Sequence, residues 1–333
     1  MAKNILILGG GNGGTMIANK LRKHLARDVW NITVIDKDNR HIYQPGLLLV
    51  PFGLENPHKI VKQRSKYIAP GITFVLDIVT RIDLEKRLVK TVGMREFSYD
   101  FLVISTGCMP DASEDAGLSD ALGRNAFTFY DYDGSLALQT ALKQFNGGKL
   151  VVAIASLPIK CPVAPLEFAL LADWYFTKRG IRNKVDIRFV TPAMGAFTKA
   201  RTSAVLGEIT AEKNIAITAN WNLGTVNAGE RRIENMPGTE RIDYDLLVAI
   251  PTNVGAKVAT DSDIDDGMGY VPTDPHTLQV KGYSQVYTLG DASNTPASKA
   301  GSSVHYQTDT VLHNILCEIH GRSPEPLYDG HAT

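Results

Sequence analysis

The sequence predicts an α/β protein made of two similar modules, each a parallel sheet covered on both faces. Three observations point there. Continuous apolar runs alternate with helix-period patterns, as buried parallel strands between helices do. A glycine-rich turn joins the first apolar run to the first helical pattern. Pairs of runs also recur at a nearly constant interval: the run opening at Asn4 is echoed by the run opening at Lys149, and Tyr99-Asp100 by Tyr244-Asp245, 145 residues later. A repeat of that length is one module, not one supersecondary unit.

The elements follow in order. Ile5 to Gly9 reads as a buried strand. A helix over about 13–26 carries Met16, Ile17, Leu21 and Leu25 on one face. Ile32 to Asp36 is the next strand, and a Pro- and Leu-rich stretch over about 38–58 reads as a long loop. The second module repeats this with a strand over 150–155, a helix over about 165–179 and a strand over 185–190. The chain then returns to the first module near residue 270. The expected division is therefore 1–112 plus 270–333, with 113–269 as the second module. A last helix over about 300–320 stops at Gly321, with Pro324 beyond it.

Composition narrows the function. The 333 residues are 44% hydrophobic and 21% charged, an ordinary globular balance. Lys plus Arg number 35 and Asp plus Glu 35, so no net positive field favours nucleic acid. No stretch is apolar for the ~18 residues a spanning helix needs. Met1-Ala2-Lys3-Asn4 runs straight into a strand, leaving no room for a signal peptide and predicting a cytoplasmic location. Three cysteines, Cys108, Cys161 and Cys317, cannot build a disulfide framework. No CxxC occurs, and the eight histidines show no metal-ligand spacing, so no metal is expected.

The glycine turn is Gly9-Gly10-Gly11-Asn12-Gly13-Gly14, which fits GxGxxG with Gly9, Gly11 and Gly14 in the three roles. It follows a strand, opens a helix and precedes Asp36 at the end of the next strand, the context of a Rossmann-like dinucleotide site. Gly9 permits the tight turn, Gly11 lets a pyrophosphate approach near Asn12, and Gly14 lets helix and sheet pack closely. Asp36 is placed to accept from an adenosine ribose. Two further segments, Ser105-Thr106-Gly107 and Thr288-Leu289-Gly290-Asp291, resemble the closing motifs of flavoproteins with two dinucleotide domains. That resemblance implies FAD, with Thr106, Gly107, Gly290 and Asp291 on it, and two Rossmann-like FAD/NAD(P)-binding domains of the glutathione-reductase-like kind.

The second module lacks its own glycine motif. Ala155, Leu157 and Lys160 stand at the three glycine positions, and the next strand ends in Thr191-Pro192 without an acidic anchor. Side chains there should crowd a pyrophosphate, so the module is read as keeping the fold without binding NAD(P)H. Cys161 occupies the turn instead, just before a helix opened by Pro165. Two readings of Cys161 stand: a thiolate favoured by the helix start, or a small residue buried beside prolines. Glu167, in the first turn, is either a proton acceptor for an incoming thiol or a surface carboxylate complementing the dipole.

At these residues the chain resembles the sulfide:quinone oxidoreductases and their relative, the flavoprotein subunit of flavocytochrome c sulfide dehydrogenase. The matching elements are Cys161-Pro162, Pro165 and Glu167, the stretch from Gly290 to Gly301 with Gln307, and Tyr43-Gln44-Pro45. The resemblance implies that Cys161 is one half of a redox disulfide attacked by sulfide. It implies electrons passing through FAD to a membrane quinone, and Lys299 stabilising the reduced flavin, against the plainer reading of a solvated lysine. It also implies a second redox cysteine, which Cys108 and Cys317 do not match. Both read as packing residues, Cys317 four positions after His313. The family places its second cysteine after a segment like Tyr328-Asp329-Gly330, so the expectation is that the native frame continues with cysteine after Thr333. A segment that covers the flavin and helices that lie on the membrane would follow. As given, the chain is expected to be soluble, with peripheral membrane contact in the longer protein and a homo-oligomer left open.

Other features have plainer readings. Leu47 to Phe52 lines a quinone entrance or packs on the core. Lys59, Lys62, Arg64 and Lys66 read as a solvated helix face before a lipid-binding one. Trp174, Tyr175 and Phe176 read as helix core. The competing functions are the cytochrome-linked sulfide dehydrogenase, a type II NADH:quinone oxidoreductase, and an inactive flavin-fold binding module.

Overall fold

A computed structural model describes residues 2–332. Its two five-stranded parallel sheets use ten strands. In chain order these are β1 (Lys3–Leu8), β2 (Trp30–Asp36), β3 (Thr73–Leu76), β4 (Phe101–Ile104), β5 (Ala126–Phe127), β6 (Gly148–Ile154), β7 (Val185–Val190), β8 (Ile215–Thr218), β9 (Leu246–Ile250) and β10 (Val286–Thr288). The long helices are α1 (Asn12–His24), α2 (Tyr132–Gln144), α3 (Ala164–Lys178), α4 (Ala200–Glu212) and α5 (Gly301–Ile319). The chain divides into two compact units, residues 1–41, 62–109 and 254–333, and residues 42–61 and 110–253.

The first unit has strand order β10-β4-β1-β2-β3. Odd and even residues of β1 feed two different cores. Ile5 and Ile7 pack with Ile17 and Leu21 of α1 and with Val311 and Ile315 of α5. Leu6 and Leu8 pack with Ile82 and Val89 of a three-stranded antiparallel sheet, Val79–Asp83, Leu88–Thr91 and Glu96–Ser98. A strand covered on both faces must be apolar throughout, which is why its sequence shows a run and no alternation.

The second unit repeats the plan with order β5-β9-β6-β7-β8 and its own three-stranded sheet, Leu223–Asn227, Arg232–Asn235 and Arg241–Asp243. The repeat extends to strand register. Ile5 of β1 lies opposite Phe101 of β4, and Leu150 of β6 lies opposite Leu246 of β9, so each partner is displaced by the same 145 residues.

Three sequence expectations change. The domain boundaries fall at 109/110 and 253/254, not at 112/113 and 269/270, and residues 42–61 group with the second unit. The reason for the second change is apolar: Leu47, Val50 and Ile60 form a buried cluster with Tyr132 and Leu136, and Ser135 Oγ donates to Leu47 O at 2.7 Å. The stretch 38–58 is therefore no plain loop, and holds a short helix, Pro45–Leu49, continued by a 3₁₀ turn, Val50–Phe52. Finally, Trp174 is 39% exposed while Phe176 is fully buried. Three consecutive aromatics cannot all face one core on a helix, since 100° separates neighbours.

Candidate functional site

The predicted nucleotide residues of the first unit gather at the carboxyl ends of β1, β2, β4 and β10, the side of a parallel sheet where such folds bind ligands. Gly9 has φ +91°, and a Cβ there would lie 2.4 Å from Ser105 O. A Cβ on Gly14 would lie 1.8 Å from Gly9 O, so only glycine lets α1 start this close to β1. Gly11 faces open space. The first amides of α1, from Asn12 onward, have no acceptors inside the helix and no acidic residue in its first turn. This is a cradle sized for a pyrophosphate. Ser105 Oγ closes it from beneath, donating to Leu8 O at 3.0 Å and Gly9 O at 2.9 Å.

Asp36 is held from two sides. Gly10 N–H donates to its Oδ2 at 2.6 Å, Asp38 N–H donates to its Oδ1 at 3.0 Å, and Arg64 forms an ion pair with Oδ2. The basic run is thus no single helix face: Lys59, Lys62 and Lys66 are exposed, as the solvated reading expects, and Arg64 departs from it. Arg64 opens a 3₁₀ turn, Arg64–Tyr67, and donates to Asp38 O and Arg40 O at 2.8 Å each, while its buried Nε has no acceptor among the described residues. Sequence reasoning missed this pair. Nothing in residues 59–66 distinguishes one basic residue from the next, and only the need of Asp36 for a counter-ion hinted at it.

The last two segments complete the site. Gly107 and Gly290 both take positive φ, +73° and +70°. Gly290 N–H donates to Oε1 of the buried Gln307 at 2.6 Å. Lys299 is 8% exposed. Its Nζ donates to Asp291 O at 3.1 Å and Ser293 O at 2.7 Å and sits 4.0 Å from the Tyr270 ring centroid. The solvated reading of Lys299 is therefore wrong: burial pulls its pKa below the usual lysine value, with Cys108 and Asp291 opposing the shift. Cys108 is likewise more than packing, with Sγ 3.8 Å from Asp291 Oδ2. The glycine cradle, the open space at Gly11 and the unpaired buried Nε of Arg64 fit a dinucleotide such as FAD.

The second unit places Cys161 and Glu167 at the opposite kind of turn. After β6, Ala155 and Ile159 are buried, and Leu157 projects outward at 39% exposure. Thr191 at the end of β7 is buried and its N–H donates to Thr218 O, so no carboxylate stands where Asp36 does. Cys161 is exposed and has φ +49°, a conformation non-glycine residues rarely adopt. Its surroundings hold it there: Tyr130 Oη and Ala164 N–H both donate to Cys161 O, at 3.2 and 3.0 Å, and Lys160 N–H donates to Asn253 Oδ1 at 3.1 Å. α3 starts three residues later, with Glu167 in its first turn. The buried reading of Cys161 is thereby set aside. Glu167 is exposed overall, yet desolvation of its carboxyl raises the pKa above the ordinary glutamate value.

The chain matches the pyridine nucleotide-disulphide oxidoreductase family over residues 3–305. It is 31% identical over 336 residues to mitochondrial sulfide:quinone oxidoreductase of Dictyostelium discoideum, covering 99% of this chain and 74% of that protein. The chain belongs to the sulfide:quinone oxidoreductase family. The mitochondrial sulfide:quinone oxidoreductase of Mus musculus is 28% identical, covering 100% of this chain and 75% of its own length. The crystal structure of sulfide:quinone oxidoreductase from Aquifex aeolicus has the same fold, with a TM-score of 0.83 at 22% identity over 96% of this chain and 78% of that one. Among the described residues of this family member, no disulfide joins the three cysteines and no helix is long and apolar enough to cross a membrane.

Proposed function

We propose that the chain oxidises sulfide with FAD as its resident cofactor and delivers the electrons to a quinone, with Cys161 as the residue that receives the sulfur. The observation that carries this is Cys161 itself: an exposed thiol held at positive φ at a helix start, in the module whose glycine turn is gone. Such backbone strain costs about 1–3 kcal/mol and persists where a function needs the side chain placed.

FAD, when bound, supplies the two-electron acceptor. The other steps belong to the chain's own groups. Gly9, Gly11, Asn12 and Gly14 would cradle the diphosphate, and Asp36 the adenosine ribose. Thr106, Gly107, Gly290 and Asp291 line the sheet end where the rest of the cofactor would run, and Lys299 fixes the loop before α5 by gripping two carbonyls. The start of α3 favours the anionic form of Cys161; joining a hydrosulfide sulfur to that thiolate as a persulfide releases one proton and two electrons, and the electrons are the pair that FAD would accept. The raised carboxyl of Glu167 is a stronger base than a free glutamate and takes the proton of an incoming hydrosulfide. A lipid-soluble acceptor fits peripheral contact with a membrane.

The test is anaerobic. Sulfide added to the flavin-loaded protein bleaches the flavin absorbance, NADH does not, and Cys161→Ser slows the sulfide-driven bleaching at least ~1,000-fold with flavin still bound. Bleaching by NADH alone, or an unaffected Cys161→Ser, ends this reading.

A further inference from the structure

The far end of α5 carries a cluster the flavin chemistry does not use. His313 and Cys317 lie one turn apart, and Cys317 Sγ is 3.3 Å from His313 Nε2. The same nitrogen is 3.3 Å from Glu325 Oε2, and the three ligand atoms lie within 4.8 Å of one another. We propose that His313, Cys317 and Glu325 bind one zinc-like divalent cation, with water in the fourth position.

The two spacings through Nε2 are close to those a metal imposes, and the third lies within 4.8 Å. Zinc bonds of about 2.3 Å to sulfur and 2.0–2.2 Å to nitrogen and oxygen, in a tetrahedron, put ligand atoms about 3.4–3.6 Å apart. A ring hydrogen on Nε2 would be shared between the two neighbours. A cation takes a lone pair from each of the three atoms instead, and the thiol proton leaves to solvent on binding.

The third ligand is held in place by the backbone. Beyond Ile319 the chain reverses through Gly321 at φ +72°, with Gly321 N–H donating to Glu318 O at 3.1 Å and Arg322 N–H to Cys317 O at 2.8 Å. This Schellman turn sends residues 322–328 back along the helix. Fully buried Asn314 then grips Glu325 in both directions: its Oδ1 accepts from Glu325 N–H at 2.8 Å and its Nδ2 donates to Glu325 O at 3.0 Å. Pro324 and Pro326 stiffen both flanks. The neighbouring Glu318 is committed elsewhere, accepting from Tyr287 Oη at 2.6 Å. Pre-positioning of this kind is what supporting residues around a metal provide. The exposed sides of His313 and Glu325 leave a way in from solvent, while Cys317 closes the inner face.

Cobalt(II) is the probe. The flavin-loaded protein carries Cys108→Ser and Cys161→Ser, so that Cys317 is its one thiol, and is stripped with chelator before titration. A thiolate-to-cobalt charge-transfer band should saturate at one equivalent and be displaced by zinc. Cys317→Ser should abolish the band, and Glu325→Gln, at a half-exposed position, should weaken binding about 100-fold while flavin content stays constant. No saturable band, which is the result for a hydrogen-bonded triad only, overturns the site. So does a band that survives both substitutions.

Discussion

The turn after β1 and the turn after β6 occupy the same place in two copies of one plan, and they solve opposite problems. After β1 the chain removes side chains. Gly9 and Gly14 come so close to their neighbours that a single methyl group would collide, and the space above Gly11 stays open. After β6 the chain keeps side chains at the equivalent positions and spends the one left-handed residue on a cysteine. The first turn leaves its backbone bare, with open space at Gly11, and the second sets an exposed sulfur atom on a left-handed residue. The two modules therefore diverged at a turn of a few residues while the register of their sheets stayed the same.

That contrast can be broken from either side. The largest effect is expected from Gly14→Val. Its side chain would press on Gly9 O, and overpacking of this severity costs at least about 3 kcal/mol. Urea unfolding should show the loss, and flavin content after purification should fall to near zero. Arg64→Met comes next. It leaves Asp36 charged and unpaired in a site where both side chains are only 12% exposed, which should cost about 2 kcal/mol, somewhat below the figure for a fully buried pair. Asp36→Asn in the same protein should recover part of that loss, and a double-mutant cycle measures how much. The smallest effect on stability has the opposite sign. Cys161→Gly relieves the left-handed strain and should stabilise the second unit by about 1 kcal/mol, while sulfide-driven flavin reduction is lost. If Cys161→Gly instead destabilises the protein, the strain assigned to that turn is absent.

Much of this was legible in the residues. The apolar runs of β1, β4, β6 and β9 announced buried parallel strands, and their interval announced the repeat. The glycine motif, Asp36 and Gly290-Asp291 announced the first site because each has a steric or charge requirement that few residues meet. What stayed hidden depends on contacts between distant segments. Arg64 reaches Asp36 across 27 intervening residues and looks like any basic residue in its own neighbourhood. Lys299 is marked in sequence only by the family resemblance, and its burial shows once two carbonyls and the Tyr270 ring enclose it. His313 and Cys317 have a helix-compatible spacing, but Glu325 joins them only after the chain turns back at Gly321. The positive φ of Cys161 leaves no trace in sequence, since the residue most tolerant of that conformation is the one missing there.

The Asp36–Arg64 pair has a consequence for how the cofactor's charge is met. Arg64 lies beside Gly10, and its charge is already paired with Asp36 within the protein. The anionic bridge of a dinucleotide must then be balanced by oriented peptide dipoles at the head of α1, which are fixed before anything binds and need no counter-ion to be displaced.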